Sequence, residues 1–146
     1  MAINTKKVLL GGLAAGVVLN VIDFIAYAHL LKDRMNSEMN AFKPGLADVM
    51  MQGNAVIINI ILDFILGITL VWTYAAIRPR FGPGARTAVN AALLFWVLSG
   101  IFYYGFLGMG IMSTGLWWTF AFVGLVNLLI ASWVGAWLYS EEPGAV

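Results

Sequence analysis

Cysteine is absent from the 146 residues and histidine occurs once. The first absence excludes disulfides, thiolate metal sites, thiol catalysis and quinone-linked disulfide chemistry. The second excludes a bis-His haem or a multi-His metal centre within one chain. Charge is scarce as well: 10% of residues are charged, against about 25% in a soluble domain. A net charge of +1 gives nucleic acid nothing to bind. What is plentiful is apolar surface, with 62% hydrophobic residues and a mean hydropathy of +0.89. This composition belongs to an integral membrane protein. Four spans of about 20 residues use roughly 80 residues and leave only loops and tails. The expectation is a single transmembrane domain over 1–146, an all-α four-helix bundle.

Four apolar segments supply the spans, at about 8–31, 54–77, 88–107 and 115–139. Aromatic residues gather near their ends, among them Trp72, Tyr74, Tyr103, Tyr104, Trp117, Trp118, Trp137 and Tyr139, as in interfacial belts. Lys6 and Lys7 before an apolar run, with Ala26-Tyr27-Ala28 behind it, imitate a signal peptide. The run is too long for a signal core and contains Asn20 and Asp23, so an uncleaved span is expected. Lys6, Lys7, Arg78, Arg80 and Arg86 lie on one side, and Lys32, Arg34 and Lys43 on the other. This bias places both termini in the cytoplasm. The long outer loop, 32–52, carries Met35, Met39 and Phe42 at helical spacing, which predicts a short interfacial helix over 33–42 ended by Lys43-Pro44-Gly45. A further helical turn is expected over 46–51.

The second and fourth spans overlay, with Asn59, Asp63 and Gly67 upon Asn127, Ala131 and Gly135. Asn20 and Asn90 correspond at a nearly equal offset. Two related helical hairpins, parallel about an axis along the membrane normal, would give this pattern. Chance similarity between apolar helices is the competing explanation.

Only Asp23 and Asp63 place a charge deep within a span. An Asp at the bilayer centre costs about 2.5–3.5 kcal/mol on insertion scales, so both should face protein. Each lies roughly 12–13 Å below the outer surface at 1.5 Å per residue. In a hairpin the two carboxyls can meet, and so can Tyr27 and Asn59 one turn further out. Gly12, Gly16, Asn20, Asp23 and Tyr27 share one helical face, as do Asn59, Asp63, Gly67 and Tyr74, and Gly124, Asn127, Ala131 and Gly135. Small residues and Asn on such faces build helix contacts in membranes. The intramembrane polar set is therefore Asp23, Asp63, Asn20, Asn59, Tyr27 and Asn127. No Lys, Arg or His lies at that depth, and two adjacent carboxyls in low dielectric do not readily both ionise. Interhelical glue is the leading reading of the pair; a proton or cation site is the alternative.

Other constellations are weaker. His29 with Met35, Met39, Met50 and Met51 on the outer side could hold copper through soft thioethers. His29 could also ligate a haem or a chlorophyll magnesium. Met as flexible apolar filler is the simpler account, and no cofactor is expected. Ser99 and Ser132 have no histidine at their depth, so no catalytic set assembles and an enzyme is not the preferred reading. Arg78, Arg80 and Arg86 in a Pro- and Gly-rich turn suit phospholipid headgroups or an acidic docking partner.

The strings LLGGLAAGVVLN near the start, YAAIRPRFGPGARTA around the second turn and GAWLY near the end resemble a family of small bacterial four-span inner-membrane proteins. The resemblance covers most of the chain and implies a bacterial inner-membrane location; it brings no chemistry with it. The expected function is an accessory, scaffold or interaction subunit of a membrane assembly, partnered by the lipid bilayer and by other membrane subunits or copies of itself. The alternative is a proton- or cation-coupled small transporter or channel using the Asp pair.

Overall fold

A computed structural model of the protein describes residues 3–50 and 52–141. It is all-α, with no strand among the described residues. Helix α1 (Thr5–Asp23) runs into a π-helical stretch, Phe24–Leu30, and is followed by α2 (Lys32–Phe42), α3 (Leu46–Met50), α4 (Gly53–Phe81), α5 (Ala85–Gly108) and α6 (Thr114–Leu138). Thr5–Leu30, α4, α5 and α6 are each long and apolar enough to cross a membrane. Their outward faces are apolar too, from Leu9 and Val17 on α1 to Trp133 on α6, as suits a lipid-facing surface and not water. By this measure the chain is a membrane protein.

The four long helices form a bundle in which α1 packs against α4 and α6, and α5 against α6 and α4. The tightest seams are made by glycine. A methyl group placed on Gly12 would lie 2.5 Å from Ile68 Cα, and one on Gly67 2.5 Å from both Gly12 O and Gly16 N. On its neighbouring face α1 meets α6: a methyl on Gly11 would lie 2.6 Å from Gly135 O, and Ala15 also touches this seam. Without side chains between them the backbones approach closely enough for extensive van der Waals contact, the main attraction between helices in lipid. Between α5 and α6 the same economy uses Ala88, Ala91, Ala92 and Ala131, all buried, with Ser132 Oγ donating to Ala88 O at 2.8 Å.

These small residues sit in the half of the bundle that holds the start of α1 and the end of α6, hereafter the closed end. In the other half, the open end, Phe95, Trp96, Tyr103, Trp117 and Phe120 line a space between the helices. Along α4 every residue from Val56 to Leu62 is exposed there.

The α4–α5 turn differs from the sequence expectation. The helix does not stop near Ile77 but continues through Pro79 to Phe81. Pro79 lies in the last turn, where its missing N–H removes one bond near the helix end. The reversal is made by Gly82 and Gly84, with φ of 83° and 115°. It is fixed by Gly84 N donating to Tyr74 Oη (3.1 Å) and Thr87 Oγ1 donating to Gly82 O (2.6 Å).

Arg78 is also not where a headgroup ligand would be. It turns inward, with Nη1 2.9 Å from Glu141 Oε1, and its guanidinium lies 5.7 Å from the ring centre of Tyr139. Both side chains of the pair are mostly covered, at 19% and 18% exposure, although the contact lacks hydrogen-bond alignment. Tyr139 in turn stacks edge-on against Tyr74 at 5.9 Å and accepts from Asn4 N at 3.3 Å. Arg80 and Arg86 remain exposed. Arg78→Ala should lower the melting temperature in detergent more than Glu141→Ala does. It removes the stacking on Tyr139 as well as the ion pair, a difference of about 0.5–2 kcal/mol. Equal effects of the two variants would show that the stacking contributes nothing.

Candidate functional site: an intramembrane cavity with two carboxylates

The open end encloses a cavity of about 290 Å³ between all four long helices. Its floor is where the small-residue packing stops, at Leu19, Leu66 and Leu128. Asp23 and Tyr27 reach it from the first span, Asp63 from α4, Ser99 and Tyr103 from α5, and Asn127 from α6. Asp23 and Asp63 thus share one space.

Asp23 is held at the junction of two helix types. The α-helix ends on it, and from Phe24 the hydrogen bonds lengthen by one residue, so that Leu31 N donates to Ala26 O at 2.8 Å. Such π-turns recur at functional sites. The Asp23 carboxylate accepts a 2.7 Å hydrogen bond from Asn127 Nδ2, which also donates to Leu19 O at 3.4 Å. Asn127 is 3% exposed, and its Oδ1 has no hydrogen-bond partner among the described residues. Asp63, by contrast, has no such anchoring amide among the described residues.

The other expected members separate. Asn20 is half-buried and works on the backbone, its Nδ2 donating to Gly16 O (2.9 Å) and Ile60 O (3.4 Å). Tyr27 does not meet Asn59. Its ring packs edge-on against Phe120 at 5.4 Å, and Asn59 is exposed on the outer face of α4. The reason is helical geometry: each four-residue step overshoots a full turn by about 40°, so Asn59 lies some 80° from Gly67. Gly67 is the residue that faces α1.

Several lining residues have, in the sequence alone, the placement of interfacial belts, notably Tyr103 and Trp117, or no evident role, notably Trp96 and Phe120. Their signal is a spacing. Trp96, Ser99, Gly100 and Tyr103 form one stripe on α5, and Trp117, Phe120, Ala121, Gly124 and Asn127 another on α6. Trp96 Nε1 donates to Ala121 O at 2.7 Å and fastens the two stripes together.

Helix α2 lies across the open end. Glu38 accepts from Ser113 N (3.1 Å) and Ser113 Oγ (2.8 Å), and Arg34 Nη1 donates to Thr119 Oγ1 at 3.1 Å. Ser113 is itself the N-cap of α6. His29 is exposed, edge-on to Phe24 at 5.0 Å, and Met35 and Met39 are half-buried on α2. Met51 and the side chain of Met50 lie outside the described residues. Among the described residues no three His, Asp or Glu side chains gather to hold a metal ion.

Compared with known protein families, curated proteins and solved structures, the chain matches none. The arrangement speaks through its chemistry. It brings two carboxylates, an amide and aromatic rings to one space between the four long apolar helices, with no Lys, Arg or His in the lining among the described residues.

Proposed function

We propose that the protein is a small cation carrier or channel of a bacterial inner membrane, with Asp23 and Asp63 as its cation site. The observation that carries this reading is that both acids line one cavity in the open half of the bundle. Carboxylates serving only as glue are expected at a tight seam, and the tight seams here are built from glycine and alanine instead. Intramembrane acids that line a cavity mark ion and proton pathways. The Lys and Arg distribution favours a cytoplasmic closed end, with the cavity in the outer half and the glycine seams closing the inner half.

The test is transport by the purified protein in liposomes under imposed gradients of protons, Na⁺, K⁺ and ammonium-bearing solutes. Flux of at least one cation above empty liposomes is expected. Silence towards all of them, with no cation binding to the protein in detergent, overturns the proposal.

A second reading, an interaction subunit, is favoured by α4. Asn59 is exposed there among Ile57, Ile58, Ile60 and Ile61, a polar group on a face otherwise suited to lipid. Asn side chains on such faces hydrogen-bond across to a neighbouring helix. A stoichiometric membrane partner recovered by native purification, lost in Asn59→Leu, would support it.

A further inference from the structure

We propose that the cation taken by this cavity is an organic ammonium group and not a bare metal ion. The inference rests on the cation-site reading above and names its ligand class. The first ground is size. About 290 Å³ is at the lower edge of small-molecule sites, which run from roughly 300 to 1,000 Å³. A hard divalent ion needs a close shell of about six to eight oxygens at roughly 2.0–2.6 Å. Here two carboxylates and an amide share a space whose remaining lining is mostly rings, leucines and glycines.

The second ground is the walls. Tyr27, Phe120 and Tyr103 form a continuous aromatic surface. Tyr27 and Phe120 meet at 5.4 Å and 86°, Phe120 and Tyr103 at 5.9 Å and 55°. Rings set at such different tilts offer π-faces from more than one direction. A soft, weakly hydrated alkylammonium gains from these faces, and a small inorganic ion holds its water too tightly to do so. Trp96 also lines the same space.

The third ground is the positioned carboxylate. Asn127 is almost wholly buried and lines the cavity, and its Nδ2 is spent on Asp23 and Leu19. Asp23, held by this amide, and Asp63 place two acids in a mostly apolar lining, which suits a ligand carrying both a positive charge and an apolar body. The apolar part of the ligand then rests on the rings. Such a group occurs in free organic amines and in the headgroup of phosphatidylethanolamine or phosphatidylcholine.

The experiment measures ligand-induced thermal stabilisation and equilibrium binding in detergent. The probes are choline, its uncharged carbon isostere dimethylbutanol, Na⁺ and K⁺. Choline is expected to bind at least tenfold more tightly than Na⁺ or K⁺, and dimethylbutanol not to bind. Tyr103→Leu should weaken choline about tenfold, and Tyr103→Phe should leave it nearly unchanged because the ring face remains. Dimethylbutanol binding as well as choline, or Na⁺ or K⁺ matching it, overturns the ammonium assignment. Inorganic or proton flux in the same protein would then leave the carrier reading standing. The comparison of choline with its isostere needs no variant, so it holds even if Tyr103→Leu fails to fold. Nanodiscs assign the source. Choline affinity that is the same in phosphatidylglycerol with and without phosphatidylethanolamine points to a free solute, and affinity that falls when phosphatidylethanolamine is added points to the lipid headgroup.

Discussion

Gly67→Leu is expected to prevent the bundle from assembling, and Gly67→Ala to lower its melting temperature by about 5 °C or more. A Cβ at this position would stand 2.5 Å from Gly12 O and from Gly16 N, both of them backbone atoms of α1. A flexible side chain could swing aside from a new methyl, but a helix backbone cannot, so α1 and α4 must move apart. Overpacking of this kind costs about 1–3 kcal/mol for one methyl where neighbours can relax. A leucine separates the helices along the whole seam, where Gly12 also meets Ile68 and Gly16 meets Phe64. Gly124 lies on the open half of α6, and a methyl placed on it would have nothing within 4 Å, so Gly124→Ala is the matched control and should melt like the parent. Size-exclusion profiles and thermal melts in one detergent decide the matter. If Gly67→Ala and Gly124→Ala melt alike, α1 and α4 do not pack through this seam.

The seam is legible in the sequence because its signal is local. Gly12 and Gly16 are one turn apart, and small residues at that spacing allow helices to meet in lipid. The depth of Asp23 and Asp63 is legible for a similar reason, since rise per residue converts position into depth. Rotation is not. A stripe counted in steps of four drifts around the helix, and over the two steps from Asn59 to Gly67 the drift carries Asn59 out to the exposed face. The π-helical stretch after Asp23 changes the rotation again, and nothing in the residues Phe24–Leu30 announces it. The cavity walls are hidden by an ambiguity of composition. Tyr103 and Trp117 near span ends have the placement of belt aromatics, and only their partnership with Trp96 and Phe120 across α5 and α6 turns them inward. The contact of Asn127 with Asp23 depends on α6 lying beside α1, a matter of tertiary order that no single span encodes.

The double variant Asp23→Asn with Asp63→Asn should remain folded and lose cation flux down to the level of empty liposomes. Folding is retained because an amide at position 23 still offers an oxygen where Asn127 Nδ2 now donates at 2.7 Å to Asp23. Asn also donates as well as accepts, so neither site becomes an apolar hole. An interhelical hydrogen bond in a membrane is worth about 0.6–2 kcal/mol, which bounds the change in stability even if this one is lost. Flux, in contrast, requires negative charge. A cation entering low dielectric gives up its water, and among the described residues only Asp23 and Asp63 carry an acidic charge into this cavity to compensate. Tyr27 and Tyr103 are also titratable and line the same space, but as neutral phenols they offer dipoles and π-faces, not a countercharge. The single variants divide the work. Asp23 has a fixed donor in Asn127, so Asp23→Asn tests a positioned carboxylate, and Asp63→Asn tests one without that anchor. A parent that transports, beside a folded double variant that transports equally well, would remove both acids from the mechanism. A double variant that melts like the parent and is silent, where the parent is active, assigns the charge requirement to these two side chains and leaves glue as a secondary role.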